Sequence, residues 1–255
     1  MEVRFMEEKI IKMINNYVAT YPHSEGTGWK EPLVAFAAAG DPLFGELKKI
    51  VQPAHALPQD FLPAARSVIT YFLPFRDPVA ESNIAGRHCS RTWAVAYIET
   101  NRLISELNAY LQQQLEALGF EAEHLPATYN FDKKTLLSGW SHRSAAYIAG
   151  LGTFGINHML ITSKGCCGRI GSLVTDLELK PTPRPEEEYC LYKSDGSCGD
   201  CVERCVNEAL FYDHLDKQQC YRMCLENNER LQGLESETDI CGKCMVGVAC
   251  SHIKP

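Results

Sequence analysis

The last quarter of the chain constrains the fold most: nine of its twelve cysteines fall between Cys190 and Cys250. In a secreted protein such density means disulfides. In a chain with no export signal it means metal. The N-terminus, MEVRFMEEKIIKMINNYV, is an amphipathic pattern broken by Glu and Lys. It lacks the apolar block and cleavage site of a signal peptide, and it has no twin-arginine pair. No apolar run is long enough to span a bilayer. The expected compartment is the cytoplasm, with no membrane partner.

The spacing narrows the metal chemistry. A zinc ribbon needs two C-x2-C pairs, which Cys198/Cys201 and Cys241/Cys244 can supply, but four ligands leave the other thiols unexplained. A thioredoxin-like C-x-x-C belongs at a strand–helix junction, and neither pair has that setting. A two-cluster ferredoxin carries C-x2-C-x2-C-x3-C-P, with the fourth Cys ligating the other cluster. Here Cys198-x2-Cys201-x3-Cys205 matches the last three thiols of that run. Asp195 stands where the first belongs, and Cys190 is expected to replace it through a longer loop. Cross-ligation then assigns Cys190, Cys198, Cys201 and Cys250 to one [4Fe–4S] cluster and Cys205, Cys220, Cys241 and Cys244 to another. Cys224 remains over, one helical turn beyond Cys220. Thiolates suit such clusters, and two together form an electron relay.

Upstream, residues 3–19 carry an apolar stripe at the helical period through Val3, Met6, Ile10, Met13, Ile14, Tyr17 and Val18. The Gly- and Pro-rich residues 20–66 read as loops with one or two short helices. SVITYFLPF (67–75) reads as a buried strand, Thr92 to Leu118 as a long helix stopped by Gly119, and FEAEHL as a strand. SHRSAAYIAG reads as a short helix, HMLITS and RIGSLVTDL as strands. Pro181, Pro183 and Pro185 form a stiff linker, and the expected division is residues 1–185 and 186–255. GLGTFG (150–155) has the letters of a dinucleotide fingerprint, yet it follows a helix and precedes a strand, the reverse of what that site requires. A helix C-cap with a tight turn is the plain alternative. Cys166 and Cys167 read as small buried apolar residues.

Together, AGLGTFGINHMLIT (149–162), GSLVTDL (171–177), the proline linker and the paired cysteine clusters resemble the epoxyqueuosine reductase family, which is related to the reductive dehalogenases. The resemblance is specific from Trp140 to Cys250. It implies an α+β chain: a nitroreductase-like α/β N-terminal domain followed by a ferredoxin-like two-cluster module. It also implies cobalamin in the N-terminal domain, against Gly150, Leu151, Gly152, Phe154, Gly155 and Asn157, with Arg169, Gly171 and Ser172 in a second wall. A flavin is the alternative cofactor. The acid expected upstream of the glycine turn falls on Asp132. His142 and Arg143 are further catalytic candidates, beside capping and ion-pair roles for the same residues.

The net charge of −7, with no long basic run, argues against a nucleic-acid face. A small molecule is therefore expected as substrate in preference to the tRNA of the family, with reduced ferredoxin or flavodoxin as electron donor. The competing reading is a non-enzymatic electron carrier or corrinoid-handling protein.

Overall fold

The computed structural model of the chain describes residues 2–126 and 131–255, with side chains from Phe5 onward in the first helix, so Val3 of the expected stripe lies outside the described side chains. Helix α1 (Glu2–Thr20) leads to strand β1 (Leu33–Ala38), helices α2 (Pro42–Ile50) and α3 (Pro58–Phe61), and strand β2 (Ser67–Pro74). Helices α4 (Asp77–Ser82) and α5 (Arg91–Glu116) precede the short strands β3 (Ala122–His124), β4 (Phe131–Asp132) and β5 (Leu137–Ser138). Helix α6 (His142–Ile148) and strands β6 (Gly152–Phe154), β7 (Leu160–Thr162) and β8 (Gly168–Thr175) complete the first half. The cysteine-rich segment holds helices α7 (Leu191–Asp195), α8 (Asp200–Glu203) and α9 (Lys217–Arg230) and a 3-10 turn at Lys243–Met245.

Four strands form one antiparallel sheet in the order β1-β2-β8-β3. All eight residues of β2 are buried, because helices cover both faces of the sheet. Ile69, Tyr71 and Leu73 meet Ile10 and Ile14 of α1 and Leu103, Leu107 and Leu111 of α5. Val68 and Phe72 meet Phe44 and Leu47 of α2 and Ala145, Ala146 and Ile148 of α6. Burial on both faces removes the polar alternation of a half-exposed strand, which is why SVITYFLP is nearly continuously apolar. Each fully buried Leu or Ile contributes about 2 kcal/mol of transfer free energy. Ser90 caps α5 by accepting from the Trp93 amide. Gly119, at φ +87°, ends it with bonds from Gly119 N to Glu116 O and Phe120 N to Leu115 O.

Residues 20–66 depart from the loop-rich expectation. LVAFAA at 33–38 is strand β1, with Ala35 and Ala37 buried against the α2–α6 face. Its small residues let a helix approach the sheet closely and leave little β-propensity to read.

The proline segment is pinned along the sheet. Thr182 N–H donates to Phe36 O at 2.9 Å, and the Thr182 hydroxyl accepts from Phe36 N–H at 3.1 Å. Arg184 pairs with Asp41 at 2.9 Å. The last residues also join the sheet half, since Cys166 N–H donates to Cys250 O and Cys167 N–H to Ser251 O. Among the described residues, no helix is long and apolar enough to cross a membrane.

Candidate functional site

The cysteine-rich segment gathers its thiols into two groups. Cys190, Cys198, Cys201 and Cys250 line one small pocket, together with Gly155, Ile156 and Val248. The turn of α7 carries the chain from Cys190 to Cys198, so Cys190 reaches the pocket. Asp195 is not among the pocket residues; its carboxylate accepts from Ser197 N–H at 2.9 Å in the turn closed by Gly196. A second set comprises Cys205 after α8, Cys220 on α9, and Cys241 and Cys244 around the 3-10 turn; Cys244 feels the charges of Cys241 and Cys220, then of Cys201 from the first set and of Cys205. Cys224 stands beside Cys220 and Cys241. Among the described residues no three His, Cys, Asp or Glu are placed to hold a single metal ion.

Burial pushes the Cys201 thiol up to about 12 and Cys241 to about 11, and raises Cys244. Cys250 is raised by its contact with the Cys166 thiol, then by burial. Concentrating thiolates in such a place requires cationic compensation, and a cluster whose irons replace the protons supplies it. The donor set therefore fits iron–sulfur ligation in its chemistry: soft sulfur ligands, two groups, an apolar lining.

The β6–β7 turn lies between the two groups. Gly155, Ile156 and Asn157 border the first pocket, while the Asn157 side-chain amide donates to the Cys244 carbonyl at 3.1 Å and accepts from Met159 N–H. The next residue, His158, has φ +59°, and its carbonyl accepts from Arg143 at 2.7 Å. A non-glycine residue held there is a local strain that the Arg143 and Asn157 bonds fix in place. On the far side of the second group Lys243 is 1% exposed, and its ammonium donates to Asn83 O at 2.7 Å and Ala85 O at 2.8 Å. Asn227, equally buried, bonds Cys89 N–H and Ile240 O.

A cluster of polar side chains adjoins Cys220. Arg143 is exposed and donates to His158 O. The Arg169 guanidinium lies 4.4 Å from the Tyr97 ring centre, and the Tyr97 hydroxyl donates to Asp239 at 3.1 Å. Burial raises the Asp239 carboxyl, Tyr97 opposing it. A carboxyl held toward its protonated form beside a phenol and a guanidinium has the chemistry of a proton donor. The sequence reading passed over Asp239 because nothing in TDIC distinguishes it from a loop aspartate.

The other expected site residues have the following places. Asp132 is exposed at the β4–β5 turn and accepts from Lys134 N–H, Thr135 N–H and the Thr135 hydroxyl, which keep its pKa low and its carboxylate ionised. His142 has both ring nitrogens engaged, Nε2 donating to Pro126 O at 2.8 Å and Nδ1 accepting from Ser172 Oγ at 2.8 Å. Ser172 accepts in turn from Trp140 Nε1. This tautomer follows from the network, and burial lowers the His142 pKa to about 4, so it is a neutral positioning group. Gly150, at φ +86°, is the C-cap glycine of α6, with Leu151 N–H donating to Ala146 O. Leu151 is buried in the core, and Phe154 packs on the Tyr147 ring. A side chain at Gly150 would meet Pro183 O at 2.6 Å, at Gly152 Ile161 O at 1.9 Å, and at Gly171 the Tyr71 hydroxyl at 2.4 Å. The close approach that demands glycine at these positions is to the protein itself. Cys166 and Cys167 are buried, and Cys167 Sγ lies 2.9 Å from Met245 O.

No protein-family model matches the chain, and no curated protein matches it. Solved structures do. The Bacillus subtilis epoxyqueuosine reductase, with its aspartate-bearing catalytic loop swung out of the active site, aligns with a TM-score of 0.60 at 17% identity over 98% of this chain. An epoxyqueuosine reductase with an epoxyqueuosine-modified tRNA-Tyr stem loop aligns with a TM-score of 0.55 at 18% identity, covering 89% of this chain and 58% of its own. A reductive dehalogenase whose structure suggests a mechanism for B12-dependent dehalogenation gives 0.54 at 14% identity, over 83% of this chain and 29% of its own. The chain spans 66% of the Bacillus subtilis protein. The clustered thiols and the polar side chains around Arg143 and Asp239 thus stand on a mixed α/β fold shared with the epoxyqueuosine reductases and the reductive dehalogenases.

Proposed function

We propose that this chain is an iron–sulfur reductase. Residues 186–255 act as a ferredoxin-like module that holds two [4Fe–4S] clusters, and residues 1–185 act as a nitroreductase-like domain bearing the cofactor and substrate. The observation that supports the reading is the pocket lined by Cys190, Cys198, Cys201 and Cys250, with Cys205, Cys220, Cys241 and Cys244 close to one another in the same segment. Clusters so held relay single electrons. Cys220 lies near Arg143, so its cluster is the exit toward an acceptor there.

The chain's own residues have distinct parts in this reading. Asn157 fixes the backbone of Cys244, and Lys243 fixes the turn between Cys241 and Cys244. Arg143 and Arg169 lie near one another and make a positive patch suited to an anionic group. His142 stays neutral and holds Ser172. Asp239 is the better placed carboxyl for proton delivery, since Asp132 is ionised in its turn. Cobalamin as the acceptor cofactor is supported by the likeness to a B12-dependent dehalogenase. The glycines expected against a corrinoid ring lend it nothing, because protein already fills the space before them. The likeness to a tRNA-bound reductase makes a modified tRNA stem loop the first substrate to try, with ferredoxin or flavodoxin as donor and the cytoplasm as compartment.

Anaerobic reconstitution with iron and sulfide, followed by metal analysis and EPR, tests the reading. About eight irons per chain, and a base-off cobalt signal on adding cob(II)alamin, are expected. Zinc without iron overturns the reductase. Eight irons with an unchanged cobalamin signal keep the relay and remove the corrinoid.

A further inference from the structure

Nine thiols occupy the cysteine-rich segment, and two clusters take eight. The ninth, Cys224, lies on α9 four residues after Cys220. Asp216 caps that helix by accepting from Gln219 N–H, so the two cysteines occupy successive turns of a fixed helix. Residues at i and i+4 share one face. Because Cα–Cβ bonds tilt toward the helix N-terminus, the Cys224 side chain leans over the turn that carries Cys220. Both are half-buried, and both are within reach of Cys241. The surroundings differ on the two sides: Arg143 stands near Cys220, whereas Asp239 and Tyr221 stand near Cys224.

We propose that Cys220 and Cys224 are interchangeable ligands of the second cluster, so that the cage of Cys205, Cys241 and Cys244 is closed by either of two thiols on neighbouring turns of α9. This rests on the two-cluster reading above. The exchange forms one Fe–S bond and breaks another; the departing thiolate takes up the proton that the incoming thiol releases, and no electron is gained or lost. With Cys224 as ligand, the spare Cys220 thiol stands beside the Arg143 guanidinium. With Cys220 as ligand, the spare Cys224 thiol stands beside the Asp239 carboxyl. The two ligation states therefore differ in which charged side chain the spare thiol faces.

Iron and sulfide counts with EPR on anaerobically reconstituted Cys220→Ala, Cys224→Ala and the double variant test this. Each single variant is expected to keep about eight irons, with the reduced-cluster EPR spectra of the two differing, and the double variant to keep about four. The four that stay on the first group report that the double variant has folded. A drop to four irons in either single variant alone, or in both, overturns the proposal, as does a double variant that keeps eight. A wild-type chain without eight irons is a different result and sinks the two-cluster reading itself.

Discussion

The sheet half and the cysteine-rich half reach order by different means. In the first, β2 is wholly buried, and α5 sends Leu103, Ile104, Leu107, Leu111 and Leu115 to its face. Apolar area dominates those layers, with Asn108 of α5 accepting from the Tyr71 hydroxyl and donating to Ser172 O between them. In the second, α7 and α8 have five and four residues, and α9 buries Met223 and Asn227. Beyond the backbone bonds at Cys250 and Ser251 and the packing of Val246 on Trp93 and Phe75, its hold on the rest of the chain runs through polar side chains that bond backbone: Asn83 to Cys241, Lys243 to Asn83 and Ala85, Arg204 to Ile84, Asn157 to Cys244. A segment with so small an apolar core needs ligation to stay folded, as small metal-binding modules do.

Removing iron anaerobically with a chelator should break this contrast most. Amides between residues 190 and 250 should then exchange faster by orders of magnitude, while those of β2 and β8 keep their protection; equal loss in both halves would show that the sheet also depends on ligation. Hydrogen exchange read by mass spectrometry distinguishes the two. Leu107→Ala acts on the other side. A fully buried leucine truncated in the core should cost about 3 kcal/mol in urea unfolding, with iron per folded chain unchanged.

Asn227→Ala probes the seam. It leaves Cys89 N–H and Ile240 O without their partner, at a cost of about 2 kcal/mol. Iron retention should fall with it, and a stability loss without iron loss would place Asn227 outside the support of the second group. The smallest effect concerns pH. His142 is held neutral, its pKa lowered to about 4 by burial from an unfolded value near 6.5. Between these values the unfolded chain binds the additional proton, so this contribution is complete above about 6.5 and is lost as pH falls toward 4. His142→Gln should flatten the fall in melting temperature over that window; an unchanged slope would mean that His142 is not the titrating group.

How much of this was legible in the sequence follows from the range of the interactions. α5 showed because its stripe repeats at helical spacing over many turns, and β2 because burial on both faces leaves a run of β-branched and aromatic residues. β1 did not, because Ala35 and Ala37 are small to admit a helix, a reason that lies on another element. In the site, ligand spacing pointed to two sets of thiols, since clusters draw their ligands from short local runs. The glycine turn offered two readings, and the helix cap at Gly150 needed only neighbouring residues to be seen. Asp239 was hidden, because its meaning comes from Tyr97, more than 80 positions away; Asn157 was a candidate, but its bond to the Cys244 carbonyl was not legible.

The proline segment has a consequence for the molecule in solution. The outer edge of β1 is open to pairing with another chain, and such edges template self-association. Thr182 occupies the outward N–H and C=O of Phe36. Pro181, Pro183 and Pro185 on either side have no N–H with which to extend a ladder. At the opposite edge β3 pairs over three residues, too short a template to recruit a strand. The segment that joins the two halves is thus also the guard that keeps one molecule from adding its sheet to the next.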